Sequence, residues 1–326
     1  MVLEALITTE EAERHPITLF FIAFGITTVS MFVAYHTFPG SSSVLAISFV
    51  SLALMPIIND MLARSEEREV AQDDMPFSFI GTHFDVLHIY GWIFMGMIIT
   101  YSFWAVVLPE NNRTCDSTPF GIACILPEKS QVFSEQKKVY SGITGKIVGE
   151  AECFNEKSKS FENCLQLIFS NNNWVMVLAI MFSLIWGAGA LFLLGWNASV
   201  IGLFVGTEIM AKSIDAGIVR AVSYLPHGVP EIMAYFIAAI AGGIISSAIS
   251  KKTFKRHELR IVFIDTVLLL MVALVTLLIA AFIETAEIFN YWEAAVGGIV
   301  AFVALYMVLY IPSVRYRLNK LRESGN

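Results

Sequence analysis

The 326-residue chain is 56% apolar and only 15% Asp, Glu, Lys or Arg, against roughly a quarter charged in ordinary soluble domains. That deficit excludes a water-soluble globular surface and predicts an all-α polytopic membrane protein, with membrane lipid as its first partner. A net charge of −7 without a long basic run gives no phosphate-backbone footprint, so nucleic acid is excluded as a partner.

In chain order, Met1–Pro16 carries Glu4, Glu10, Glu11, Glu13 and Arg14. This is the wrong chemistry for the basic start of a secretory signal peptide, and the segment is expected to stay cytoplasmic. Apolar runs over Ile17–Phe38, Val44–Leu62 and Val86–Leu108 give three crossings, so that residues 1–109 form an N-terminal membrane region. Asp60 stands four residues before Arg64 and can pair with it along one helix face. The acidic stretch Arg64–Asp74 reads as a solvated linker, and His83, Asp85 and His88 read as interfacial residues rather than ligands.

Residues 110–173 form a long, mixed-charge segment that holds all four cysteines, Cys115, Cys124, Cys153 and Cys164. Their confinement to one loop predicts an oxidising, extracytoplasmic compartment, and the short spacings favour Cys115–Cys124 with Cys153–Cys164 among the three pairings that four cysteines allow. Asn112-Arg-Thr is a glycosylation sequon on the same segment.

A membrane core over 174–312 follows, then a basic cytoplasmic tail over 313–326. Its clear apolar runs are Trp174–Leu194, Glu231–Ile249, Leu259–Ile283 and Ala294–Ile311. Basic residues cluster at Arg14, Arg64–Arg68, Lys251–Arg260 and Arg315–Arg322 and are missing from Pro39–Ser43 and Glu284–Glu293, which sets both termini inside. With 110–173 outside and Lys251–Arg256 inside, an odd number of crossings must separate them. Three is the economical answer, so Asn197–Ser223 becomes a further crossing and the total is about eight. That crossing carries Glu208, Lys212, Asp215 and Arg220, which with Asp265 farther on are costly in hydrocarbon unless they pair or line a wet cavity. Glu208 and Lys212 are spaced to pair.

Three polar clusters stand out. In Leu225-Pro-His-Gly-Val-Pro-Glu231, Pro226, Gly228 and Pro230 predict a broken, irregular segment around 223–231, with backbone groups left free. In Ala280-Ala-Phe-Ile-Glu-Thr-Ala-Glu287, Glu284 and Glu287 share a face. The topology brings these two clusters to the same side, where His227, Glu231, Glu284 and Glu287 form a metal or proton site, or a hydrogen-bonded clasp between helix ends. Neither a HExxH spacing nor a nearby cysteine supports the metal reading, and no cofactor is implied. The third cluster is Trp196-Asn197, where the amide caps a helix or bonds across helices; its Asn197-Ala-Ser sequon falls in an expected cytoplasmic turn. Small-residue faces at Gly202 and Gly206, at Ala238 and Gly242, and at Gly187–Ala190 serve either a homodimer or the internal packing.

Taken together, Asn171-Asn172-Asn173 opening a helix, Gly187–Ala190, Asn197 with Gly202, the Pro-His-Gly-Val-Pro-Glu motif, Ala239–Gly242 and Leu278-Ile-Ala-Ala-Phe-Ile-Glu284 resemble the stage II sporulation protein M family over about 171–287, roughly a third of the chain. The first three crossings and the cysteine loop are similar to the extended architecture of archaeal members. The resemblance implies a polytopic membrane protein and, in spore formers, a scaffold that anchors a cell-wall-degrading machine during engulfment. It matches His227, Glu231 and Glu284 to the family signature without giving them an established chemistry.

The function expected first is a non-enzymatic scaffold with segment 110–173 as a docking surface for an extracytoplasmic protein. A transporter or channel that uses broken helices and buried ionisable residues is the alternative. A metal-dependent intramembrane enzyme at His227, Glu231 and Glu284 comes third, since no P-loop, GxSxG, HExxH or CxxC pattern is present.

Overall fold

The computed structural model describes residues 9–71, 83–110, 126–145, 153, 160–250 and 256–324. Among these residues there is no strand. The helices are α1 (Thr9–Arg14), α2 (Ile17–Thr37), α3 (Ser42–Ala71), α4 (Phe84–Val107), α5 (Lys129–Val132), α6 (Ser134–Gly145), α7 (Phe161–Trp186), α8 (Ala190–Ala211), α9 (Ile214–Ser250), α10 (Arg256–Ile288) and α11 (Trp292–Ser324), with a 3-10 turn at Pro39–Ser41 between α2 and α3. Eight of them, α2, α3, α4 and α7 to α11, contain a stretch long and apolar enough to cross a bilayer. The chain is an all-α, multi-pass membrane protein.

Two compact units divide these helices, the first built from residues 1–56, 89–151 and 191–223. Its frame is three helices that run the same way. Gly96 of α4 meets Phe20 and Ala23 of α2. Higher on the same pair, Trp104 Nε1 donates to Thr28 Oγ1 at 3.0 Å and stacks edge-on to Phe32. Residue numbers therefore rise together along the two helices, which makes them parallel. The same holds for α4 and α8, where a Cβ on Gly202 would lie 2.5 Å from Tyr101 Cβ and one on Gly206 would lie 2.6 Å from Ala105 Cβ. Two parallel neighbours need an odd number of crossings between them, and here that number is one in each case: α3 between α2 and α4, α7 between α4 and α8.

The second unit holds residues 57–88, 152–190 and 224–326. Its α10 and α11 form an antiparallel hairpin, joined at a turn where Asn290 adopts φ 57°. Gly298 packs on Ile283 near the turn, and farther away Thr276 meets the Tyr306 hydroxyl at 3.3 Å. The middle of α9 is buried on every side from Ala234 to Ala241, as expected of a helix that is apolar all round. Phe161, at the start of α7, lies among Phe282, Phe289 and Tyr291, and a disulfide joins Cys153 to Cys164 of α7.

Several boundaries differ from those that hydropathy predicts. Helix α7 begins at Phe161 and not at Trp174, so Asn171–Asn173 lie inside it instead of opening it. It also stops at Trp186, because Gly187 takes φ +68°; the apolar run Trp174–Leu194 is thus two helices, and the next crossing starts at Ala190 rather than Asn197. The expected break around 223–231 does not occur. Helix α9 continues through Pro226 and Pro230 for 37 residues, because the proline spacing of four confines the lost N–H donors to one stripe while the buried stretch that follows holds the axis. Finally, the described part of Arg64–Asp74 is no solvated linker: α3 extends to Ala71, with Ser65 and Glu66 buried, while residues 72–74 lie outside the described residues. Cys115, Cys124 and Asn112 lie outside the described residues.

Candidate functional site

The polar motif sits where the first turns of α9 in the second unit face the end of α10. His227 Nδ1 and Glu287 Oε2 are 2.6 Å apart, with side chains only 13% and 16% exposed. One turn along α9, the Tyr235 hydroxyl donates to Glu231 Oε1 at 2.8 Å, and Tyr235 itself is fully buried. The Tyr224 ring stands edge-on to the imidazole, 5.7 Å away. Glu284, one turn before Glu287, is half-buried, and both it and Glu231 lie within electrostatic reach of His227. The geometry joins an imidazole to a carboxylate across two helices, and a phenol to a second carboxylate within one. It brings together His227, Glu287 and Glu284 as the sequence predicts, although the direct partner of His227 is Glu287 and not the motif carboxylates Glu231 or Glu284. Among the described residues, no group of three or more His, Cys, Asp or Glu side chains has the geometry to hold a metal ion.

The local chain explains the placement. Pro226 and Pro230 lack the N–H groups that would bond the carbonyls of Val222 and Pro226. His227 and Glu231 are four residues apart and so share a face beside that proline stripe. At the far side of the hairpin, Tyr291 N bonds back to Ala286 O at 2.8 Å and Asn290 N to Glu287 O at 3.0 Å, which fixes the last turn that carries Glu287.

A second convergence in the same unit was not legible in advance. Asn59 of α3 uses its Oδ1 to accept a hydrogen bond from Ala188 N at 2.7 Å, and Ser183 Oγ accepts from Ala190 N at 3.3 Å. Together they satisfy the backbone exposed where α7 ends. Gly187 is required there, since its φ is positive and the Asn59 amide occupies the space of a side chain. Gly242 and Gly243 of α9 pack against Ile180, Ser183 and the Gly187 carbonyl. The visible signal was the Gly187-Ala-Gly sequence; Asn59 gave none.

The remaining predicted residues separate. Glu208 and Lys212 pair at 2.9 Å, and Asp60 and Arg64 at 3.2 Å. Lys212, Asp215 and Arg220 are exposed on the protein surface and Asp265 is half-buried; of the five, Glu208 is covered most, its side chain 16% exposed, and it is the one paired with Lys212. Arg220 lies over the Phe204 ring, 5.2 Å from its centre, and Gly217 packs on Ile209, which makes the start of α9 an antiparallel partner of α8 in the first unit. Asn197 neither caps a helix nor bonds across helices: it sits inside α8 and donates to Leu193 O at 2.8 Å, because the helix starts earlier than the hydropathy run suggested. The Gly202 and Gly206 face is filled by α4 of the same chain. His83 is buried against Ser65, Oγ to Nδ1 2.6 Å, and so is not an interfacial residue.

A family model described as SpoIIM, Stage II sporulation protein M, matches residues 17–286, a reach that takes in the first three crossings as well as the motif-bearing part. No curated protein and no solved structure matches the chain.

Proposed function

The chain belongs to the stage II sporulation protein M family, and from that premise we propose that it is a non-enzymatic membrane scaffold whose motif residues clasp two crossings together. The observation that carries this reading is the bond between His227 and Glu287, 2.6 Å long and nearly buried. A group that must bind and release an ion or substrate is poorly served by a short bond to a fixed partner, whereas a clasp needs one. The pairing of Glu231 with Tyr235 and of Glu208 with Lys212 supports the same conclusion. Both termini lie in the cytoplasm by the distribution of Lys and Arg. The part of segment 110–173 that precedes α7 is then extracytoplasmic, the disulfide that ties it to the start of α7 suits an oxidising compartment, and it docks a protein partner on that side.

The test uses the full chain in proteoliposomes. His227→Ala and Glu231→Gln are expected to lower the temperature of unfolding without removing any ion or solute flux. A variant as stable as the parent that abolishes a flux carried by the parent would overturn the reading in favour of a transporter.

A further inference from the structure

Within the second unit, α7 descends into the membrane from beside the turn that joins α10 to α11. Its first residue, Phe161, lies among Phe282, Phe289 and Tyr291. Farther along, Ile180 and Ser183 meet Gly242 of α9, well past His227, which is level with Glu287 near the same turn. Helix α11 leaves the turn in the same direction, and from its first residue it shows an apolar face, with Trp292, Val296, Val300 and Val303 exposed. At matching depths α7 differs. Asn163, Gln166, Ser170 and Asn171 are all exposed, they fall on one side of the helix, and Asn171 stands about 15 Å beyond Phe161.

That strip does not fit wholly in the water above the bilayer. From Trp174 to the helix end at Trp186 the exposed face of α7 is apolar, but this stretch is only about 20 Å long, against about 30 Å of hydrocarbon. Ser170 and Asn171 therefore lie inside the hydrocarbon, and Asn163 and Gln166 lead down to them from its edge. Polar side chains that face lipid at such depth are costly, and each asks for a partner. Asn171 gives one N–H to Asn172 Oδ1 at 3.4 Å, and an amide has a second donor and an acceptor to satisfy.

We propose that this face of α7 docks a second copy of the chain, the two α7 helices meeting about a two-fold axis along the membrane normal. The chemistry of the strip selects the occupant. Lipid tails offer it no hydrogen bond. About such an axis each residue meets its own counterpart at the same depth, an arrangement that only self-complementary groups satisfy. Amides and hydroxyls both donate and accept, so Gln166, Ser170 and Asn171 each find a partner in their own copy, whereas a buried carboxylate or ammonium would be repelled by it. The acid on this side, Glu162, stands in the first turn of α7, at the water edge where like charges are screened. Amide and hydroxyl side chains that bond across helices are an established glue between crossings. The other seam a dimer could use, at Gly202 and Gly206, is already filled by α4 of the same chain.

Oxidative cross-linking of the full chain in proteoliposomes tests the dimer, because a two-fold axis sets a cysteine on the docking face opposite its own copy. Ser170→Cys is expected to give a linked dimer several-fold faster than Val303→Cys, a control exposed on α11 at a similar depth. Equal rates, or no dimer from either, would overturn the proposal. Counting subunits by single-molecule photobleaching at falling protein density gives an independent reading. The parent is expected to pass from dimer to monomer, and Gln166→Leu with Asn171→Leu to raise the dissociation constant several-fold. A parent that is monomeric at every density, or a double variant that associates as tightly as the parent, would overturn the proposal. So would rapid labelling of Ser170→Cys by a membrane-impermeant maleimide, which would assign the strip to water instead of a second copy.

Discussion

The two units join their helices by opposite means. In the first, α4 and α8 meet through Gly202 and Gly206, whose missing side chains let backbone approach backbone with no polar group between them. In the second, His227 inside α9 is joined to Glu287 in the last turn of α10. A glycine seam resists loss of attraction but tolerates no added atom; a polar clasp tolerates small changes of shape but not the loss of one partner. The second unit also has a glycine seam of its own at Gly187, Gly242 and Gly243, which allows both devices to be broken in one unit.

The largest effect is expected at Gly187. An alanine there must adopt φ near +68° and displace the Asn59 amide that caps Ala188. With ψ at −83° this is a sparsely populated conformation that costs about 1–3 kcal/mol for a residue with a Cβ, and overpacking adds about 1–3 kcal/mol. Gly187→Ala should therefore lower the unfolding temperature more than any clasp variant, and Asn59→Ala should recover part of that loss by making room. Next in size is Gly202→Ala, whose Cβ would lie 2.5 Å from Tyr101 Cβ and 3.0 Å from the Ile98 carbonyl. A cost of about 1–3 kcal/mol is expected, with no change of oligomeric state by mass photometry, because the face is filled from within the chain. A shift in oligomeric state would show instead that the glycine face serves a second copy.

Clasp variants should do less. The His227–Glu287 bond is nearly buried, but polar pairs in membrane bundles couple by only about 0.6 kcal/mol on average. In a double-mutant cycle with His227→Ala and Glu287→Gln, the two losses should therefore overlap by about 0.6 kcal/mol, and by no more than about 1.7 kcal/mol. Strict additivity of the two would remove the direct bond as the joining element. The comparison with Gly187→Ala then tells which device carries the second unit.

How much of this was readable in advance follows from where each signal resides. Seven crossings follow from apolar runs, because roughly 20 apolar residues are needed for each and few other structures require them, and the eighth from the distribution of Lys and Arg with the parity it imposes. The meeting of His227 with Glu287 followed from topology plus i,i+3 spacing. Helix ends did not follow, and Gly187 shows why: hydropathy is blind to a positive φ, so one apolar run concealed two helices. The opposite error arose at Pro226 and Pro230, where a local rule predicted a break that tertiary burial of Ala234–Ala241 overrides. Asn59 and Gln136 carry no pattern at all, since each acts through a partner far along the chain.

The smallest expected effect lies at the rim of the first unit and sharpens the contrast from its polar side. Glu110 accepts a hydrogen bond from Lys137, which holds its carboxyl below the ordinary carboxylate range, and Lys129 adds attraction. A carboxylate whose pKa is lower in the folded than in the unfolded state contributes stability above its unfolded value and loses it as pH falls through the folded one. Glu110 is largely exposed, so the contribution should be that of a surface pair, below about 1 kcal/mol. Glu110→Gln should thus lower the unfolding temperature slightly at neutral pH, and the gap to the parent should begin to close as pH falls below the ordinary carboxylate value of 4.5 and vanish once the parent is protonated. Raised salt should narrow the gap at neutral pH as well, since an exposed pair is screened. The His227–Glu287 bond, nearly sequestered from solvent, should keep its coupling in the same salt titration, and a clasp that screened as readily as the rim would be no more than a surface pair.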